Sequence, residues 1–282
     1  SGFVSHTRLN PSIIKAGVIL NLVMYLTWLD SNSWLLEIGN QRILLDPWLV
    51  GSLTFGNLDW FFRGSRTQER PIPENIDLLL LSQGLEDHAH PETLNQLDHQ
   101  IPAVASPNAA KLLQGLGYTS VTSLDHHETF NLNQQVEITA VPGSTVGYNL
   151  VENGYLLKEV TSGLTLYYEP HGSHSSEVKK FAPVDVVITP IVDVTLPLGL
   201  PIIKGRKSAL EIAQWLQPQI MLPTAAGGDI IFEGLLTKFL KAEGSVEEFN
   251  SLLNQNHLTT RVMEPKPGDR LELQLQKRTL KV

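Results

Sequence analysis

Four consecutive leucines, Leu78–Leu81, end abruptly in Ser82-Gln83-Gly84-Leu85-Glu86-Asp87-His88-Ala89-His90, and Pro91 follows. A short, wholly apolar run predicts a strand buried on both faces. Pro91, suited to an early helical position, predicts that a helix opens directly after the polar cluster. A buried strand thus delivers aspartate and histidine to a helix entrance. That arrangement suits metal ligation or acid–base chemistry.

The remaining pattern alternates strand clusters with helices. Met24–Leu29, Ser33–Ile38 and Gln41–Leu45 read as strands, with a Gly39-Asn40 turn between the last two. Further strands are expected at Ala103–Ser106, Val121–Leu124, Val136–Val141, Tyr155–Val160, Leu164–Glu169, Val184–Thr189 and Gln219–Pro223. Helices are expected at Pro91–Leu97, Pro107–Leu116, Lys207–Leu216, Ile230–Lys241 and Val246–Asn254, before a last pair of strands. Residues Val50–Pro73 read as a long loop in which Trp60, Phe61 and Phe62 either line a lid or join the core. Two successive halves of this kind predict two packed mixed β-sheets with helices outside them, an α/β or α+β fold of four αββα layers.

With 282 residues, the chain is long enough for one large domain or two small ones. A single domain over residues 24–282 is expected. Residues 1–23 read as a leader or surface extension: the apolar stretch Ile13–Leu26 is interrupted by Lys15, Gly17 and Asn21 and is too short to span a bilayer. The expectation is a soluble, cytoplasmic protein, with export left open by the apolar stretch near the N-terminus. A net charge of -8 without a basic stripe argues against nucleic acid as a partner. The absence of cysteine removes disulfides and thiolate ligands, so a transition-metal site must be built from His, Asp and Glu.

The polar cluster resembles the signature of the metallo-β-lactamase superfamily, Thr-His-x-His-x-Asp-His after a strand. Asp87-His88 match its second half, whereas Gln83 and Leu85 stand at its two first histidines. The chain looks most similar to the branch containing the L-ascorbate-6-phosphate lactonases. Thr27-Trp28-Leu29-Asp30-Ser31 and Ile43-Leu44-Leu45-Asp46-Pro47 match that branch's opening strands, with Asp30-Ser31 replacing a Gly-His pair. Farther on, Ser144 in Val141-Pro142-Gly143-Ser144 and Ala225 in Leu222-Pro223-Thr224-Ala225 stand where the family has histidines. In Tyr168-Glu169-Pro170-His171-Gly172, Pro170 falls on the bridging aspartate.

The resemblance implies the αββα fold and a hydrolase of an ester, lactone or phosphoester. With most family ligands replaced, it implies at most one zinc or other divalent ion and no two-metal centre. Its expected ligands are Asp87, His88 and His171, with Asp87 and His171 also in catalytic roles. Asp46 is expected to orient a ligand, and Gln83, Leu85, His90, Ser144, Glu169 and Ala225 to line the pocket. Asp87 could instead cap the helix at Pro91, His88 could fill a polar core position, and His90 reads more readily as a capping or surface residue. His99, His126, His127 and His174 carry weaker signals. Two other readings remain open: a metal-free relative binding a small molecule or protein in the old cleft, and a scaffold subunit. Oligomeric state has no signature.

Overall fold

The computed structural model describes residues 21–146 and 150–278. Two seven-stranded sheets dominate it. The first runs in the order Arg270–Gln276, Asn21–Trp28, Trp34–Ile38, Gln41–Leu45, Leu78–Leu81, Ala103–Ala105 and Val121–Ser123. The second runs Arg261–Val262, Ile220–Pro223, Val186–Thr189, Thr165–Tyr168, Leu150–Glu159, Val136–Val146 and Thr129–Leu132. Both mix antiparallel hairpins with parallel pairs, since Leu78–Leu81 is parallel to both neighbours and Val186–Thr189 to both of its own.

Alternation along the leucine run builds the layers. Leu78 and Leu80 face the core between the sheets, with Ile138, Leu157, Leu166 and Ile188. Leu79 and Leu81 face outward and are covered by Leu94 of helix Pro91–Gln96 and by Ala109, Ala110 and Leu113 of helix Pro107–Gly115. On the other outer face, helices Arg206–Leu216 and Val246–Gln255 bury Ile212, Leu216, Phe249 and Leu253. The expected αββα sandwich is the observed one.

Three expectations need correction. Residues 21–23 belong to the first strand, paired in register with Gln276, Leu275 and Gln274, so the expected extension ends earlier than residue 23. Its remainder, residues 1–20, lies outside the described residues. Residues 230–241 are not a helix. Ile230–Glu233 is a strand, a short 3-10 turn covers Leu236–Lys238, and Lys241–Glu243 is a second strand. The stretch Val50–Pro73 is also not structureless, because Leu53–Thr54 and Arg63–Arg66 form strands. Arg63–Arg66 and Ile230–Glu233 pair antiparallel, and this long-range ladder outweighs local helix propensity.

Two small sheets result: Leu53–Thr54 with Arg63–Arg66 and Ile230–Glu233, and Asp193–Thr195 with Pro201–Ile203 and Lys241–Glu243. The parallel pairs bring the carboxyl ends of Gln41–Leu45 and Leu78–Leu81 to one edge, and the second sheet brings those of Thr165–Tyr168 and Ile220–Pro223 together in the same way. Loops beyond such strand ends are the usual seat of a site in α/β proteins.

Candidate active site

Each loop after one of these strand ends supplies part of the site. Asp46 follows Gln41–Leu45 in a left-handed conformation, φ 43°, which Asp adopts more readily than most residues. Its fully buried carboxylate accepts from the Ser82 amide (2.7 Å), the Tyr168 hydroxyl (2.7 Å), the Ser82 hydroxyl and His88 Nδ1 (2.8 Å). The bond to Asp46 puts the Nδ1 proton of His88 on the far side of the ring. Nε2 is left to face the cluster, which is how a histidine ligand is normally presented.

Around His88 Nε2 lie Asp87 Oδ2 at 3.1 Å, His171 Nε2 at 3.3 Å and the Asn32 amide nitrogen at 3.4 Å. Asp87, His88 and His171 each offer a donor atom, all within 4.8 Å of one another. Asp87 Oδ1 is buried without a partner. Burial alone would push the Asp87 carboxyl up, but His88 and then His171 outweigh it and hold it below its usual value. Burial likewise disfavours charge on His88, yet Asp87 and Asp46 raise its pKa above the ordinary histidine value. Burial and the charge on His88 push His171 the other way.

The ring of His171 is held at its other nitrogen. Nδ1 lies 3.0 Å from Ser144 Oγ and 3.3 Å from the Gln83 amide nitrogen. Gln83 Oε1 is a buried oxygen with no partner. Turning that amide over would let Oε1 accept from Nδ1–H and free Nε2 as a lone pair facing His88. The expected polar neighbours Gln83 and Ser144 thus do converge on the candidate ligands.

Glu169 and His90 do not. Glu169 Oε2 turns back to accept from the His171 and Ser173 amides at 3.1 and 2.7 Å, shaping the loop that carries His171. Burial, opposed by those amides, pushes its pKa up to about 7. His90 is a buried N-cap: Nδ1 accepts from the Thr93 amide, and Nε2 lies 3.1 Å from the Ser52 carbonyl. Of the alternatives raised from the sequence, capping falls to His90 and not to Asp87.

Leu85 is half-buried, and its carbonyl accepts from the His88 and Ala89 amides, so its backbone forms the turn that presents His88. Ala225, at φ 59°, donates its amide to the Ser31 carbonyl. The residue before it makes the link to the cluster: Thr224 Oγ1 bonds Asn32 Oδ1 at 3.2 Å, and Asn32 reaches His88. Asn32, Ser82, Tyr168 and Thr224 are the site residues that sequence reasoning missed. Ser82, Tyr168 and Thr224 lie inside the matched segments and Asn32 one residue beyond the matched Asp30-Ser31, so position in or beside a matched motif was the signal available. The other histidines sit elsewhere. His99 stacks on Tyr118, His126 bonds the Glu152 carbonyl, His127 meets Glu177, and His174 is held between Tyr167 and Thr189.

A cavity of about 480 Å³ opens beside this cluster, lined among others by Gly143, Gly172, Ser173, Lys204 and Lys207. Of its lining, Gly143, Thr145 and Gly172 are the chain neighbours of Ser144 and His171, and Asp193 and Glu211 add carboxylates beside the two lysines. The volume lies in the range of small-molecule sites.

Layers, strand-end loops and a histidine–aspartate cluster of this kind define an αββα protein with a candidate metal site. The profile of the beta-lactamase superfamily domain matches residues 25–225, and the chain belongs to the metallo-β-lactamase superfamily. Among curated relatives, a UPF0173 metal-dependent hydrolase of Methanopyrus kandleri is 23% identical over 257 residues, covering 88% of this chain and all of the relative. Among solved structures, the isothiocyanate hydrolase from Delia radicum gut bacteria superposes with a TM-score of 0.63 at 15% identity, covering 88% of this chain and 98% of its own. A metallo-β-lactamase fold protein of Bacillus subtilis gives 0.57 at 14% identity, covering 88% and 99%. No described helix is long and apolar enough to cross a membrane.

Proposed function

We propose that this chain hydrolyses an ester, lactone or phosphoester at a site where Asp87, His88 and His171 hold a single divalent metal ion. The observation that carries the reading is the convergence of three donor atoms within 4.8 Å, one of them presented by the His88–Asp46 bond. The donor set suits zinc, whose catalytic sites take about three nitrogen or oxygen ligands and keep one position open. When bound, such an ion lowers the pKa of a water and polarises a carbonyl or phosphoryl oxygen.

The protein's own groups have separable tasks. Asp46 fixes the tautomer and tilt of His88, and Ser144 with Gln83 does the same for His171. The unpartnered Asp87 Oδ1 is available to take a proton from an attacking water. The cavity beside His171 seats the substrate, and its wall is of mixed charge, with Lys204 and Lys207 alongside Asp193 and Glu211. The curated relative's description as a metal-dependent hydrolase supports this reading. Gln83, Leu85 and Ser144 occupy the positions of three family histidines and offer no imidazole, which supports one ion and not two.

A second reading also has an observation behind it. His88 Nε2 and His171 Nε2, 3.3 Å apart, can share a proton, and Asp46 and Asp87 would balance the charge of a metal-free pair. The cleft would then bind a small molecule or protein without catalysis. Elemental analysis of protein purified without chelator separates the two, combined with assays on p-nitrophenyl acetate, a γ-lactone and bis-p-nitrophenyl phosphate. The hydrolase reading expects one ion per chain and metal-dependent turnover of at least one substrate. Protein that takes up no ion even with excess zinc would establish the second.

A further inference from the structure

Asn32 lies in the turn between strands Asn21–Trp28 and Trp34–Ile38 and is 3% exposed. The hydrogen bonds around it decide which end of its amide faces His88. Thr224 Oγ1 lies 3.2 Å from both the Ser31 carbonyl and Asn32 Oδ1. The Ser31 carbonyl already accepts from the Trp28 indole N–H at 3.0 Å and from the Ala225 amide at 3.1 Å, which uses both of its lone pairs. Thr224 Oγ1 itself accepts from the Trp34 indole N–H at 3.0 Å, so its own proton is free to donate, and Asn32 Oδ1 is the acceptor left for it. The opposite end of the amide, Nδ2, is thereby turned into the cluster, 3.4 Å from His88 Nε2.

Nδ2 carries two N–H bonds and meets one acceptor among the described residues. That acceptor is the ring nitrogen presented for coordination, and the contact is longer than the roughly 2.7–3.2 Å of a well-formed N–H hydrogen bond. Asp87 does not take up the amide: Oδ1 has no partner and Oδ2 lies on His88. When the Nε2 lone pair of His88 serves coordination, Asn32 keeps a buried, oriented donor that no described residue accepts from. Such a donor costs stability unless another group meets it. In a hydrolytic site a fixed, neutral donor is met best by an oxygen that gains negative charge during the reaction.

We propose that Asn32 is a catalytic residue, whose Nδ2–H donates to the substrate oxygen that becomes negatively charged when water attacks the scissile group. The role rests on the hydrolase reading; the orientation of the amide does not. For an ester, the water oxygen bonds the carbonyl carbon, one water proton passes to Asp87, and the C=O electron pair moves onto the carbonyl oxygen. Asn32 donates to that oxygen. The pair then returns, the bond to the alcohol oxygen breaks, and the alcohol leaves with the proton from Asp87. Because Trp34 and Thr224 hold the amide before substrate arrives, no reorientation is needed as the charge forms.

The test uses the full-length, zinc-treated protein with the variants Asn32→Ala and Asn32→Asp. Asn32→Asp keeps the shape and adds a carboxylate able to ligate zinc, so metal is retained while the donor is lost. Turnover is followed on whichever of p-nitrophenyl acetate, γ-butyrolactone and bis-p-nitrophenyl phosphate is cleaved. Calorimetry gives the affinity for methylphosphonate, which has the tetrahedral oxygens of an attacked acetyl group, and for planar acetate. Nuclear magnetic resonance follows the Asn32 side-chain amide in selectively labelled protein, assigned by its loss in Asn32→Ala. In both variants kcat should fall about 10²–10³-fold at little-changed KM. In Asn32→Ala, methylphosphonate affinity should fall at least about tenfold while acetate affinity is kept. In the parent, methylphosphonate should shift the Asn32 amide signals. Those shifts with no substrate cleaved would keep Asn32 as an oxygen-binding donor and remove the hydrolase reading. Turnover and methylphosphonate affinity unchanged in both variants would overturn the inference and leave the hydrolase reading standing. Lowered zinc affinity in Asn32→Ala with kcat per bound zinc unchanged would also overturn it, since Asn32 would then act only as a partner of His88.

Discussion

Two clusters of buried charge lie at the same end of this protein, and they are built in opposite ways. In one, Asp30 is fully buried and saturated. Arg66 and Arg70 reach its Oδ2 at 2.6 and 2.8 Å, its Oδ1 accepts from the Asp229 amide, and Arg70 also pairs with Asp229. In the other, His88 and His171 turn ring nitrogens toward each other, and Asp87 keeps an oxygen without a partner. The Asp30 carboxylate is thus answered within the protein, and the one buried atom left without a partner in that cluster among the described residues, Arg66 Nε, is a donor that cannot ligate a metal. The second leaves coordination open. Buried charge alone therefore does not mark a site; an unanswered donor set does.

The comparison can be broken in order of effect. Asp30→Ala leaves the Arg66 and Arg70 guanidiniums facing a vacant site, and should destabilise the fold by about 3–5 kcal/mol in urea unfolding. Zinc stoichiometry of the remaining folded protein should be unchanged. A loss of zinc binding together with stability would show that the two clusters are one. His88→Ala or His171→Ala should abolish calorimetric zinc binding in the protein that remains folded, because two ligands are too few; His88→Ala should also lower stability, since it leaves the buried Asp46 and Asp87 carboxylates without their imidazole partner. Unchanged affinity in both would move the site elsewhere.

Asp46→Asn sharpens the contrast further. An amide nitrogen facing His88 Nδ1 forces the other tautomer and puts a proton on Nε2. Zinc affinity should fall about 10–100-fold. Acid should act in the same direction. Asp87 and Asp46 raise the pKa of His88 in the metal-free protein, so proton competition begins above the ordinary histidine range, near about 6.5. Affinity should weaken as pH falls, by about tenfold per unit for each proton displaced, in titrations between pH 8 and about 6. The smallest effect belongs to Asp229→Ala, which removes a partly exposed partner of Arg70 and should cost less than about 1 kcal/mol.

A second pH effect lies outside both clusters. Burial, with a further contribution from Lys204, lowers the pKa of His174 to about 3. A lowered folded value means that the neutral ring stabilises the fold above the unfolded value near about 6.5, and that this is lost as pH falls toward the folded value. The urea midpoint should therefore drop more between pH 7 and 5 in the parent than in His174→Gln. Parallel curves would show that His174 is free to protonate in the fold.

The sequence by itself determined the parts in which local pattern and tertiary demand agree. Leu78–Leu81 is apolar at every position because both faces are covered, and Pro91 and Pro107 open helices where their missing amides cost nothing. Asp87, His88 and His171 were legible as a matched motif and a strand-end histidine. Only the tertiary structure decided the rest. Ile230–Glu233 is a strand because Arg63–Arg66 lies beside it, and His90 turns to Ser52 and away from the cluster because the helix start needs its ring. Asn32, Tyr168 and Thr224 reach the site from three separate strand ends, each by a bond to a residue distant in sequence. Local periodicity reports which face of an element is buried. It carries no information about which distant group will satisfy a buried polar atom, and that pairing is made only when the two sheets pack.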